Sequence, residues 1–83
     1  MTTNEAVLTK IFDILRPMVP EGIEITSKTE MTTDLGLDSL KIMKILELLE
    51  DDFDILIPIN ILSKIRTIGE LSQQIEKLTR DGD

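Results

Sequence analysis

Asp34-Leu35-Gly36-Leu37-Asp38-Ser39-Leu40 carries the chain out of a loop and into a helix. Asp38 is a suitable N-cap, and its charge complements the positive end of a helix dipole. Beyond it Ile42, Ile45, Leu46, Leu49 and Phe53 recur at the spacing of one apolar stripe, which predicts a helix to about Asp51 or Asp52. Leu40, Met43, Lys44, Glu47 and Asp51 fall on another, wetter face. Ser39 then lies in the first turn, among backbone N–H groups that the helix itself leaves unpaired. Such a position suits a phosphate attached to the hydroxyl, although a serine there is also an ordinary helix-opening residue.

Upstream, Val7, Leu8, Ile11, Ile14 and Leu15 predict a first helix from about Asn4 to Arg16, capped by Thr3 or Asn4 and ended by Pro17. Residues 17–37 read as a long loop with enough apolar side chains to pack down, and a loop of that length in a small domain usually serves function. Downstream, Ile55–Ile57 reads as an extended link into Pro58. Asn60 is expected to cap a short third helix, Ile61 to Ile65. Thr67-Ile68-Gly69-Glu70 has the form of a capping box opening a last helix with Ile68, Leu71, Ile75 and Leu78 inward. The expected fold class is all-α, a single four-helix domain over residues 1–83. Three helices are substantial, and order is expected from about 3 to 79 with a frayed tail at 80–83.

Composition narrows the chemistry. Nine Lys plus Arg against sixteen Asp plus Glu gives a net charge of −7, which argues against nucleic acid as a partner. There is no Cys, which excludes a disulfide framework, a thiolate nucleophile and a thiolate zinc site. There is no His either, so the Ser-His-Asp and Cys-His arrangements are absent. No metal site is expected, the apolar run from Ile55 to Leu62 is too short to span a bilayer, and the cytoplasm is the expected compartment. Such a chain is poorly equipped for catalysis.

The segment Asp34–Leu40 resembles the prosthetic-group motif of the acyl carrier protein family. The likeness continues without gaps: Leu49-Glu50-Asp51-Asp52-Phe53 resembles the acidic end of the family's second helix, Ile55-Leu56-Ile57-Pro58 its link to helix three, and Thr67–Leu71 the start of helix four. The resemblance implies a carrier, not an enzyme, with 4′-phosphopantetheine attached to Ser39 by a separate phosphopantetheinyl transferase and acyl groups held on its thiol as thioesters. The reactive sulfur then belongs to the cofactor, and the protein contributes presentation and recognition. Asp38 is associated in that family with the modification reaction, so it is expected to act as a cap, as an aid to the transferase and its metal, or as both.

The chain also departs from the pattern. The fatty-acid carriers it resembles present acids along helix two to basic patches on their enzymes, whereas here Lys41 and Lys44 occupy the early part of that face. From Asp38 to Asp54 six acids stand against two lysines, a net −4 concentrated toward the far end. Glu50, Asp51, Asp52 and Asp54 are expected to repel one another. Ile59, Asn60, Ile61 and Leu62 replace what is commonly an acidic stretch. The expected partner-binding residues are therefore Leu40, Lys41, Met43, Lys44, Glu47, Asp51, Ile59 and Ile61, facing acyl-transferring or condensing enzymes. Acyl-pocket candidates are Ile42, Ile45, Leu46, Ile57, Leu62 and Ile65. These expectations describe a freestanding monomeric carrier in lipid or polyketide and secondary-metabolite synthesis. The alternatives are an aminoacyl carrier, of the D-alanyl or peptidyl type, or a small helical interaction domain without a prosthetic group.

Overall fold

The computed structural model describes residues 4–81 and is all-α. Helix α1 spans Asn4–Leu15, α2 spans Ser39–Phe53 and α3 spans Ile68–Asp81. Two 3-10 turns accompany them, Arg16–Met18 after α1 and Ile59–Ser63 between α2 and α3. Thr3 and the terminal residues 82–83, on which part of the expected capping and fraying falls, lie outside the described residues.

Helix α1 packs on both α2 and α3. Its stripe of Val7, Ile11 and Leu15 meets Ile45 and Leu49 of α2 and Ile68, Leu71 and Ile75 of α3 in one aliphatic core. Leu8, Ile14, Phe12 and Phe53 are half-buried at its margin. Pro17 has the expected effect on α1, which ends at Leu15 before tightening into the first 3-10 turn. Asn4 begins α1, and its side-chain amide donates across the bundle to the buried Ser72 hydroxyl at 3.0 Å.

The long loop is not structureless. Met31, Leu35 and Leu37 are buried in the core, and Thr26 and Thr29 close a local turn in which Thr29 Oγ1 accepts from the Thr26 amide at 2.8 Å. An antiparallel bridge joins Glu30 to Thr67. The Met31 amide donates to the Arg66 carbonyl, and the Ile68 and Gly69 amides donate back to the carbonyls of Thr29 and Ser27, at 3.1, 3.0 and 2.7 Å. Gly69 permits this approach, since a Cβ there would lie 2.9 Å from the Ser27 carbonyl oxygen. The loop is therefore fixed to the head of α3 before it turns into α2.

The short third helix differs from expectation. It is a 3-10 helix at Ile59–Ser63, two residues earlier than the sequence suggests, with Pro58 rather than Asn60 at its N-cap. Pro58 supplies a fixed φ and needs no amide partner there. Asn60 lies inside the turn, where its carbonyl accepts from the Ser63 hydroxyl at 2.9 Å.

Candidate functional site

The head of α2 is built by the loop and by Asp38. Gly36 adopts φ +68, a left-handed conformation that glycine takes without strain, and Leu35 and Leu37 on either side of it are buried. That anchoring leaves Asp38, Ser39 and Leu40 exposed at the surface. Asp38 is extended and serves as N-cap: its Oδ1 accepts from the Lys41 amide at 2.9 Å. The amides of Asp38, Ser39 and Leu40 find no acceptor among the described residues.

The four serines of the chain are not equivalent. Ser72 is fully buried and donates to the Gly69 carbonyl at 2.8 Å, while Ser63 donates to Asn60. Ser27 is exposed in the loop, with its carbonyl committed to Gly69. Ser39 alone opens a helix. Its hydroxyl is accessible, has no partner among the described residues, and sits beside open amides at the positive end of a 15-residue helix. These features fit a phosphate ester.

Around this point the predicted partner residues separate into two groups. Leu40 is 78% exposed and Ile59 is 69% exposed, with Lys41, Lys44, Glu47 and Asp51 also at the surface and Met43 half-buried. Ile61 is a correction. It is 3% exposed and belongs to the core, because the 3-10 turn directs it inward while Ile59 and Asn60 face out. Leu56, 88% exposed, is a surface residue the sequence reading missed. The signal was available, since an extended link alternates its side chains, and Ile55 and Ile57 are the inward members.

The acyl-pocket candidates do not line one chamber. Ile42, Ile45, Leu46 and Ile65 are buried in the core, and Ile57 and Leu62 pack at its edge. Leu46 and Ile57 do meet at an open cleft of about 180 Å³, together with Met43, Glu47, Glu50 and Ile59. Glu50 helps to shape it by accepting the Ile57 amide at 2.8 Å, which ties the link to α2. The acidic end is thus partly relieved internally. Glu50 is engaged with the backbone, and Asp52 pairs with Lys10 of α1 at 3.4 Å. Asp54 ends α2 with φ +54, in the left-handed conformation that Asp tolerates better than most residues. No helix of the described residues is long and apolar enough to cross a membrane.

Comparison with known proteins agrees with this geometry. The family model for the phosphopantetheine attachment site matches residues 9–75. A probable acyl carrier protein of Caulobacter vibrioides is 34% identical over 77 residues, covering 93% of this chain and 90% of its own length. The acyl carrier protein of Exiguobacterium is 33% identical over 75 residues, covering 89% and 95%. The meromycolate extension acyl carrier protein of Mycobacterium tuberculosis is 31% identical over 80 residues, covering 95% and 70%. The chain therefore belongs to the acyl carrier protein family: it is a carrier rather than an enzyme, and its cofactor is covalently attached 4′-phosphopantetheine.

Proposed function

We propose that Ser39 is the attachment point and that the protein is a specialised acyl carrier, serving lipid or polyketide and secondary-metabolite synthesis. The observation that carries the attachment is the pairing of an accessible hydroxyl with the open amides at the head of α2. When bound, the prosthetic group supplies a thiol that holds acyl cargo as a thioester. The chain's own residues present that group. Gly36 and the buried Leu37 set the direction in which the loop enters the helix, Asp38 holds the first turn together through one carboxylate oxygen, and the free amides of the first turn would be the donors available to the phosphate ester. The second oxygen of Asp38 is left available to the transferase and its metal.

The specialised role is supported by Lys41 and Lys44 at the early surface of α2 and by the uncharged Ile59–Leu62 turn, and by likeness to a carrier named for meromycolate extension. An aminoacyl carrier is the second reading, since the same serine position would serve it. Acyl-transferring or condensing enzymes are the proposed partners, met by the protein as a monomer. Cargo could enter the bundle through the cleft at Leu46 and Ile57. The remaining pocket candidates would line it only after α2 and the 3-10 turn part.

Co-expression with a broad-specificity phosphopantetheinyl transferase, followed by intact-protein mass spectrometry, tests the attachment. A gain of one phosphopantetheine that disappears in Ser39→Ala is the expected result. No gain, or a gain that survives the substitution, overturns it.

A further inference from the structure

Lys41 stands where α2 is least suited to hold it, and Lys44 follows one turn on. The first turn of a helix favours anions, yet α2 has no acid in its first turn and places Lys41 there. Residues 39–46 carry +2 from these two lysines, while residues 47–53 carry four acids, in a chain of net charge −7. The lysines are not neutralised nearby. Lys44 approaches Glu47 only at 4.0 Å, with both side chains more than 60% exposed, and Lys41 has no ion pair among the described residues. Nor are they placed for an ester on Ser39, because residues two and five positions on do not share its helix face, whereas Ile42 and Met43 do.

Besides Glu47, apolar side chains share a face with the lysines. Leu40 lies one turn from Met43 and Lys44, and Lys41 lies one turn from Lys44. Met43 opens onto the 180 Å³ cleft whose outer wall is the exposed Ile59. The face is therefore a positively charged rim beside a mostly apolar notch that Glu47 and Glu50 also line, at the end of the molecule that holds Ser39. A bilayer is a poor match, since an anionic surface would also meet Glu47, Asp51 and the acidic remainder of the chain. A local pair of carboxylates on a folded partner can meet the two lysines while its remaining surface avoids most of those acids.

We propose that this face docks a partner enzyme that sets carboxylates against Lys41 and Lys44 and inserts one apolar side chain into the Met43–Ile59 cleft. The inference rests on Ser39 as the attachment point, because that is what places the face beside the cargo. Enzymes with a basic docking patch are then repelled, and partner choice is made by this mismatch as much as by attraction.

The test uses holo-protein whose prosthetic group has been verified by mass, so a failure of attachment at Ser39 is recognised separately. Loading with malonyl groups is measured for the wild type and for K41E/K44E, each with a fatty-acid malonyl transferase and with a variant of that enzyme whose basic docking residues are replaced by Glu. Expected is a kcat/KM about tenfold higher for wild type with the Glu-bearing transferase than with the native one, and the reverse for K41E/K44E. Both preferences should shrink toward unity at about 0.5 M salt. An unchanged preference between the two transferases after the double substitution overturns the proposal. So does sedimentation of the wild type with anionic phospholipid vesicles that is lost in K41E/K44E, which would assign the lysines to a lipid surface. Ile59→Ser should lower loading several-fold with the Glu-bearing enzyme, and unaltered loading would remove the cleft from the interface.

Discussion

At the head of α3 the amides of Thr67, Ile68, Gly69 and Glu70 all have partners: the Glu70 carboxylate, the Thr29 and Ser27 carbonyls and the Thr67 hydroxyl. At the head of α2 the Lys41 amide is taken by the Asp38 carboxylate, but the amides of Asp38, Ser39 and Leu40 have no acceptor among the described residues. Both helices begin with a residue type that caps well, so local propensity does not explain the contrast. The loop explains it. Residues 27–31 are bound to the head of α3, and the chain then leaves through Gly36 so that no other described segment caps the first turn of α2. One helix end is closed and structural, and the other is held open by the same segment.

The contrast can be broken most severely at the closed end. Gly69→Ala places a Cβ 2.9 Å from the Ser27 backbone oxygen, so the loop and the head of α3 must move apart. We expect a loss of about 1–3 kcal/mol in urea denaturation. Retained stability would mean that the loop is not held as described.

A paired substitution sharpens the comparison at the next level. Thr67→Ala and Asp38→Ala should each cost about 1 kcal/mol, since each removes one cap. Conservative replacements should then divide them. Thr67→Ser should restore stability and leave modification untouched, whereas Asp38→Ser should restore stability yet leave phosphopantetheinylation slow. Equal modification rates in wild type and Asp38→Ser would reduce Asp38 to a cap.

The smallest effect is on pH dependence. Hydrogen bonds from the Thr67 amide, then the Arg66 amide, hold the Glu70 carboxyl below the usual carboxylate range. A depressed acid contributes stability that is present above its unfolded pKa and lost as pH falls through its folded one. The urea midpoint of wild type should therefore fall more between about pH 7 and about pH 3 than that of Glu70→Gln. Parallel midpoints would show that the capping carboxylate adds nothing.

How much of this was legible in the sequence depended on whether side chains carried it. The stripe of α2, Asp38 at its head, and the Thr67–Glu70 box are patterns of side chains, and they were readable. The stitching of residues 27–31 to α3 runs through backbone amides and carbonyls, which leave no residue pattern apart from Gly69. Ile59–Ser63 was misplaced because five residues are too few to separate a 3-10 period from an α period, and the same error turned the buried Ile61 outward. At the site, Ser39 and Asp38 were legible, as was the unusual charge of Lys41 and Lys44. The cleft was legible only in part, since Met43 and Glu50 of α2 line it together with Ile57, from a link whose course depends on the bond from the Ile57 amide to Glu50.

The open end of α2 is tested most directly by modifying the wild-type protein with phosphopantetheinyl transferase and coenzyme A, digesting it, and locating the added mass by tandem spectrometry. The account predicts that the group lies on Ser39, in the peptide that contains Asp38 and Leu40. A group found on Ser27, Ser63 or Ser72, or none at all, would contradict it.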